Sequence, residues 1–305
     1  MPDKTQEYEI EYKEDSNLLD SYVYPGGMNA YTYDCFDRLT SKIHTNLFFT
    51  YYTYLTDSEG NTSNLISRFS YRTPEYTYEY YDYTYDNLGN ITSISKDGSV
   101  IVSYEYDALG QLKRENNVLE NYTALFLYDT AGNITAKSLM PYTNRTDLVL
   151  AEGVITAYTY SDSPWGDLMT QYGGTSITYD TIGNPLNWHN ASSMTWEARQ
   201  LTNHTFLNGT SISFTYNSDG IRTGKTFTRG TQSITYDYVL DGTKIIKESV
   251  NDGISNTSYT LYYFYDETGV AGFEYNGVDY YFVKNIQGDV IEICNWSDGS
   301  VVQYT

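Results

Sequence analysis

The sequence predicts an all-β protein in which one kind of β-hairpin is repeated along the chain. Aromatic residues make up 17% of the 305 residues, and tyrosine, a residue that favours strands, occurs 36 times. Tyrosines alternate with polar or small residues, as in Tyr83-Thr84-Tyr85, which places them on one face of a strand. A chain this rich in aromatic residues can bury enough apolar surface to fold, which excludes intrinsic disorder.

A short motif returns along the chain at nearly constant spacing. Tyr83–Ile91, Tyr104–Leu112 and Tyr128–Ile134 each contain a tyrosine, then an aspartate, then a glycine three residues after the aspartate. The aspartates of these three copies are 21 and 22 residues apart, which is the length of one supersecondary unit in a repeat protein. Clear and looser copies together give the repeat signature Tyr85, Asp86, Gly89, Tyr106, Asp107, Gly110, Tyr128, Asp129, Gly132, Tyr179, Asp180, Gly183, Trp196, Arg199, Tyr216, Gly220, Tyr265, Asp266 and Gly269.

Each position of the motif has a physical role in a hairpin. The carboxylate of Asp86 can accept hydrogen bonds from the backbone N–H groups just ahead of it, and so it opens a turn. Gly89 supplies the positive φ that a type I turn followed by a left-handed residue requires. One copy is therefore strand, tight turn and strand. Because a single hairpin is marginal in water, neighbouring hairpins are expected to pair into one continuous, curving sheet.

The turn signals run from one end of the chain to the other without a linker between them. We therefore expect a single array over residues 1–305, with degenerate copies in residues 1–82, clear copies in 83–270 and a distinct final segment in 271–305. The one stretch that could form a helical turn is Ser192–Leu201. It also fits the repeat, with Trp196 in the tyrosine position, and the hairpin interpretation is favoured.

Charge and composition exclude several classes of function. A net charge of −21 repels phosphate, so neither nucleic acid nor an anionic membrane surface is an expected partner. No apolar run is long enough to span a bilayer, so no membrane insertion by this segment is expected. Cys35 and Cys294 could form one disulfide, although two free, buried thiols are the favoured interpretation. His44, His189 and His204 have no local catalytic partner and are interpreted as surface or sheet-face residues.

Three further kinds of site are less favoured than a purely structural role of the residues concerned. Neither a cofactor nor a metal site is predicted, although turn carboxylates leave incidental calcium binding open. A glycosidase is disfavoured because the most regular acids, such as Asp86 and Asp107, are already accounted for by their turns. The tyrosine stripes could stack on sugars, but packing within the sheet is the favoured interpretation.

The motif and three later segments resemble the YD-repeat (Rhs) family, which includes Rhs toxins, Tc-toxin shell components and teneurin shells. Ser163–Leu168 and Thr195–Leu201 look like segments that precede the family's core region, and Tyr280–Ile291 is similar to the start of the Rhs-associated core. The resemblance covers essentially the whole chain and is weakest before about Tyr83.

This resemblance implies a long β-sheet that spirals into a hollow shell around a C-terminal cargo, often a toxin released by self-cleavage. Asp289 and Asp298 lie in the core-like segment, but neither matches a cleavage motif of the family. We therefore expect the chain to end inside that core-like region and not to be an enzyme.

Two hypotheses for function remain. The first is a structural shell segment of a secreted bacterial YD-repeat protein that encloses a toxin or other cargo domain. The alternative is a cell-surface adhesin that binds a glycan or a protein receptor through exposed tyrosine-rich sheet faces. Both place the chain in a secreted or surface-exposed protein.

Overall fold

The computed structural model describes residues 7–24, 27–44, 48–72, 77–161, 166–188, 190–295, 297 and 299–302. Nearly all regular structure in these ranges is β-strand, which confirms the all-β prediction. Within them, the helical structure is a single 3₁₀ turn at Leu150–Glu152, and no helix has the length and apolarity needed to cross a membrane.

Among the described residues, 26 strands form two antiparallel sheets, and within each sheet every strand pairs with the next one along the chain. The first sheet contains β1 (Glu9–Tyr12), β2 (Leu19–Tyr24), β3 (Gly27–Tyr33), β4 (Leu39–His44), β5 (Phe48–Thr56), β6 (Thr62–Arg72), β7 (Tyr78–Tyr85), β8 (Ile91–Lys96), β9 (Ser99–Tyr106), β10 (Leu112–Asn117), β11 (Tyr122–Tyr128), β12 (Ile134–Pro141), β13 (Val154–Tyr160), β14 (Met169–Tyr172) and β15 (Thr175–Ser176). The second sheet contains β16 (Ala191–Glu197), β17 (Gln200–Phe206), β18 (Ser211–Tyr216), β19 (Arg222–Arg229), β20 (Gln232–Asp241), β21 (Lys244–Asp252), β22 (Thr257–Asp266), β23 (Gly269–Tyr275), β24 (Val278–Lys284), β25 (Val290–Asn295) and β26 (Val301–Val302).

The two sheets follow one another without a long interruption, and we call them together the ribbon. Isolated bridges join Tyr179 to Pro185 between β15 and β16, and Trp188 to Ala191 at the first residue of β16. Neither sheet closes, since the first and last strands of each are not neighbours in the strand order. The stretch Ser192–Leu201 forms most of β16 and the start of β17, which is a hairpin and not a helical turn.

The turn after Asp86 shows why the motif produces a hairpin. Its Oδ1 accepts hydrogen bonds from the backbone N–H groups of Leu88 (2.8 Å) and Asn90 (2.9 Å), and its Oδ2 accepts one from the Asn90 side chain (2.9 Å). Gly89 has a φ of 86° and donates its N–H to the Asp86 carbonyl at 3.1 Å. The bonds from Asn90, above all, lower the pKa of Asp86, so the turn is built around an ionised carboxylate.

The same arrangement recurs along the ribbon. The side-chain oxygen that opens each turn accepts two backbone N–H bonds at Asp34, Asp57, Asp107, Asp129 and Asp180, and at Asn217 and Asn285 in place of aspartate. At the first of these turns Asp37 takes the positive φ (61°) that glycine takes elsewhere. Glu197–Gln200 and Asp266–Gly269 are different, because strand pairing continues up to a turn of only two residues.

The second sheet is one layer thick over much of its length. In β16 to β21 the fully buried residues are Ala191, Gly224 and Val250, and the other positions on both faces are half-buried or exposed. A sheet that is packed against a second layer buries alternate side chains along each strand. This part of the ribbon is therefore a thin wall with both faces accessible.

The two ends of the ribbon, by contrast, pack face to face. Ten buried residues drawn equally from the two sheets form one cluster: Tyr24, Phe48, Phe69, Tyr71, Tyr83, Phe264, Ala271, Tyr281, Val283 and Cys294. The Tyr281 ring lies parallel to those of His44 and Phe48, with centroids 3.8 and 5.7 Å away. Strands near β2–β7 therefore face strands near β22–β25, and the ribbon between them curves back on itself.

The two cysteines agree only in part with the prediction of two free, buried thiols. Both are free thiols, and Cys294 is buried in the cluster between the sheets. Cys35 is exposed instead of buried, because it lies in the turn opened by Asp34 and not on a strand. Of the three histidines, His44 is a buried sheet-face residue and His204 is half-buried on β17, while His189 lies outside the described residues.

A glycine substitution tests the turn geometry. Gly110→Ala should lower the free energy of unfolding by about 1–2 kcal/mol, because the new Cβ must adopt a left-handed conformation. Gly110 has a φ of 76°, and an added Cβ would lie 4.0 Å from its nearest neighbour, so backbone strain and not a clash sets the loss. Gly166→Ala, where φ is not positive and nothing lies within 4 Å, is the matched control in urea unfolding. Equal effects of the two changes would contradict this account.

Candidate functional site

At many of the turns, a hydrogen bond from a tyrosine side chain ties a hairpin to the one before it. Tyr106 lies at the end of β9, directly before its turn, and its hydroxyl donates to the backbone carbonyl of Ile91 at 2.9 Å. Ile91 is the first residue of the strand that follows the preceding turn. The bond therefore spans two turns at the same rim of the sheet. We call this contact a tyrosine clasp.

Clasps are found along the whole ribbon. Among the described residues they join Tyr54 to Leu39, Tyr85 to Ile66, Tyr106 to Ile91, Tyr128 to Leu112, Tyr160 to Ile134, Tyr179 to Met169, Trp196 to Pro185, Tyr216 to Leu201 and Tyr265 to Ile245. At Trp196 the indole Nε1–H replaces the tyrosine hydroxyl, with a distance of 2.6 Å. The predicted substitution of tryptophan for tyrosine at this position thus has a chemical basis.

The clasps explain why tyrosine and not phenylalanine precedes the turns. The ring packs on the sheet, while the hydroxyl donates to a backbone carbonyl of the preceding hairpin, a bond that phenylalanine cannot form. Burial raises the pKa of Tyr106 and Tyr128, so both hydroxyls remain donors throughout the physiological range. Tyr54 and Tyr160 were not among the predicted signature residues, although both end a Tyr-x-Tyr run that could have marked them.

Two residues of the predicted repeat signature, Arg199 and Asp266, do not take part in clasps or in five-residue turns. Arg199 lies in the two-residue turn after β16, and its guanidinium donates to Asn184 Oδ1 at 3.4 Å. Asp266 does not open a five-residue turn, because its side chain points between the two sheets and is almost fully buried. The structure thus places Asp266 in a second site, which sequence reasoning did not identify.

That second site is a buried ionic cluster between the ends of the ribbon. Lys42 of β4 approaches Asp266 of β22, with 2.6 Å between Nζ and Oδ2, and Glu267 in the following turn, with 3.0 Å between Nζ and Oε1. The side chains of Lys42 and Asp266 are 8% and 1% exposed. Charges taken this far from water are maintained only when they are paired.

Further polar side chains complete the cluster. The Asn29 amide donates to Asp266 Oδ2 at 3.4 Å, and the Tyr31 hydroxyl donates to Glu267 Oε2. His44 Nδ1 lies 2.5 Å from Asn29 Oδ1. Burial, together with the positive charge of Lys42, holds the pKa of His44 well below its usual range, so the ring is neutral.

A cavity of about 340 Å³ opens beside the cluster. Lys42, Asp266 and Glu267 contribute to its polar side, while Tyr52 and Ile66 contribute to its apolar side. Since Asp266 and Glu267 share the single positive charge of Lys42, the cluster contributes one net negative charge to this side of the cavity. The cavity lies where the two sheets face each other.

A second bridge between the sheets is formed by carboxyl groups. The hydroxyl oxygen of Tyr71 in β6 lies 2.8 Å from both Glu79 of β7 and Glu292 of β25. A phenol has one proton to donate, so only one of these acids can accept it. Lys96, 2.6 Å from Glu79, favours the ionised form of that acid, whereas burial raises the pKa of Glu292. Of the two acids, Glu292 is therefore the one that is more readily protonated, and Tyr71 lies within hydrogen-bond distance of both.

The interactions of these groups hold different parts of the molecule together. The described residues contain no group of three or more His, Cys, Asp or Glu side chains placed to hold a metal ion. His44 is neutral and its ring nitrogen is engaged with Asn29 and Tyr24, so it does not activate a nucleophile. The clasps bind neighbouring hairpins, and the two bridges bind the ends of the ribbon.

Several solved structures of Tc toxin components are similar to this chain. A crystal structure of TcdB2-TccC3 without its hypervariable C-terminal region superposes with a TM-score of 0.73 at 16% sequence identity. The crystal structure of TcdB2-TccC3-Cdc42 gives 0.70 at 17% identity, and a structure of the Photorhabdus luminescens Tc holotoxin pore gives 0.60 at 15%. Each match covers 97% of this chain and 16% of the other.

The chain thus spans about one sixth of the length of the structures it matches. No protein-family model and no curated protein matches it. At these identities the likeness shows the fold, which is the YD-repeat fold that also builds the shell of Tc toxins. The resemblance seen in the sequence is confirmed at this level.

A tyrosine substitution tests the clasps. Tyr106→Phe should lower the free energy of unfolding by about 1 kcal/mol, because it removes one hydrogen bond and leaves the Ile91 carbonyl without its donor. Tyr142→Phe, at an exposed tyrosine beyond β12, should have little effect in the same urea titration. If the two variants unfolded at the same urea concentration, the clasp would contribute no measurable stability.

The bridge at Tyr71 predicts an unusual dependence on pH. A carboxyl group whose pKa is raised on folding stabilises the protein fully below its unfolded pKa, 4.5 for Glu292, and loses that contribution as pH rises through the folded pKa. Glu292→Gln removes the charge and leaves an amide oxygen that can accept the Tyr71 hydroxyl. Its melting temperature should therefore exceed that of the wild type at pH 7 and match it near pH 4. Exposed Glu120→Gln is the control, and a difference that does not depend on pH would contradict the assignment.

Proposed function

We propose that this chain is a non-enzymatic segment of a shell wall, in a secreted bacterial protein that encloses a toxin or another cargo domain. The observation that best supports this proposal is the path of the ribbon. Sequential hairpins form a thin sheet, and the ends of the ribbon pack against each other. Such a wall can surround space while presenting one face to its contents and the other to solvent.

The local interactions support this function. A thin sheet has no second layer to stabilise it, so its strength must come from edge-to-edge pairing and from bonds between neighbouring hairpins. The tyrosine clasps supply such bonds at regular intervals, including Tyr106 to Ile91 and Tyr216 to Leu201. The net charge of −21 favours solubility and disfavours adsorption to nucleic acid.

The similar solved structures support the same proposal. They are Tc toxin components, and the present chain matches them along 97% of its own length. Because it spans one sixth of those chains, enclosure would be a property of the complete protein and this segment would supply part of the wall.

Protease protection tests the proposal on the complete protein that contains residues 1–305, purified from its natural host. An enclosed domain should survive a protease concentration that digests the same domain expressed alone. Protection should fall in a variant that combines Tyr106→Phe, Tyr128→Phe and Tyr216→Phe, since each change opens one clasp. Tyr142→Phe, at an exposed position, is the control.

Two results would contradict the wall function. One is equal digestion of every domain in the intact and the denatured protein, with no internal space visible by electron microscopy. The other is reproducible glycan binding that is lost on replacing exposed tyrosines, which would instead support an adhesin.

A further inference from the structure

The cluster between the sheets contains the parts of an amide-forming site. Nζ of Lys42 lies 2.6 Å from Oδ2 of Asp266, and the carboxyl carbon is one bond farther away. Attack requires Nζ and the carboxyl carbon to approach to about 3–3.5 Å, and close contact with the oxygen bonded to that carbon permits this approach. Both side chains are almost fully buried, and both lie on or at the end of strands, which fixes their positions.

The second oxygen of Asp266 is held by donors. Thr268 donates to Oδ1 twice, from its backbone N–H at 2.8 Å and from its hydroxyl at 2.7 Å. Two fixed donors on one carboxyl oxygen are the arrangement that stabilises the negative charge of a tetrahedral intermediate. Oδ2, the oxygen facing Lys42, is then the one that would leave.

Glu267 is placed to move protons during such a reaction. Its Oε1 lies 3.0 Å from Lys42 Nζ, within reach for general acid–base catalysis. Its other carboxylate oxygen accepts the Tyr31 hydroxyl, which fixes the orientation of the group. The cluster thus contains a nucleophile, an electrophile, a base and oxyanion donors in one site, in which Lys42 and Asp266 are almost fully buried.

The resting cluster is ionic, and its burial favours a neutral product. Burial alone lowers the pKa of Lys42 and raises that of Asp266, but the mutual attraction of the opposite charges outweighs it in both cases. Removing paired charges from water carries a desolvation penalty for each ion. Amide formation releases water and removes this penalty for Lys42 and Asp266, while the charge of Glu267 stays at the more exposed edge of the site.

We infer that Lys42 and Asp266 form an intramolecular isopeptide bond that joins the two ends of the ribbon covalently. Lys42 passes a proton to Asp266 Oδ2, and the neutral amine attacks the carboxyl carbon. Glu267 takes a proton from the new ammonium nitrogen and returns it to the departing hydroxyl group. The ammonium and the carboxylate thus become one amide and one water molecule, with no oxidant or other reactant. This inference does not depend on the proposed wall function.

Intact-mass spectrometry of the purified full chain tests the inference directly. After incubation at neutral pH the folded protein should be lighter than its sequence by the mass of one water molecule. Trypsin should then yield a branched peptide that joins residues 39–68 to residues 248–284, because a modified Lys42 is not cleaved. Lys96 and Glu79 are also 2.6 Å apart but are 35% and 28% exposed, and this internal control pair should remain unlinked.

Two variants separate the chemistry from folding. Lys42→Arg keeps the positive charge but cannot form the amide, so it should show the full mass and release residues 39–42 on digestion. Glu267→Gln should keep the wild-type circular dichroism and lose the cross-link, because the proton acceptor is gone. A folded wild-type chain that retains its full mass and releases residues 39–42 would overturn the inference, as would a cross-link that persists in Lys42→Arg.

Discussion

A sheet one layer thick cannot rely on a hydrophobic core, and this constraint governs the structure. Over β16 to β21 almost no side chain is fully buried, so stability must come from contacts within the plane of the sheet. Backbone pairing supplies most of these contacts. The hydroxyl-to-carbonyl bonds of residues such as Tyr128 and Tyr216 add a connection between hairpins at the rim, where pairing ends. Among the described residues, eight of the 36 tyrosines of the sequence meet that requirement.

The parts of the fold that could be predicted are those encoded within a few residues. Asp86 and Gly89 define their turn alone, because all of its hydrogen bonds close within five residues. Only one of the two partners in a tyrosine clasp, the tyrosine itself, could be predicted from the sequence. The sequence showed Tyr106, but its acceptor is a backbone carbonyl that has no side-chain signature and lies 15 residues earlier. Strand pairing had to be known before that acceptor could be identified.

The ionic cluster could not be predicted for a different reason. Lys42 and Asp266 are 224 residues apart, and nothing near either residue indicates the other. In the sequence Asp266 follows a tyrosine and precedes a glycine, so it was interpreted as one more turn residue. Only the curvature accumulated over the intervening strands brings it to Lys42. Small changes in twist along the ribbon would separate Lys42 from Asp266. The contact between them therefore depends on the geometry of all the intervening strands.

The strictly sequential strand order has a consequence for how the molecule is made. Each strand pairs with the strand that has just preceded it, so most native contacts are short in sequence, and such contacts form quickly. Assembly can therefore follow synthesis or export, one hairpin at a time, without waiting for distant segments. The meeting of the two ends is the exception, because it must close a loop of 224 residues and thus comes last. Maturation of the chain is complete only when that slow step has occurred.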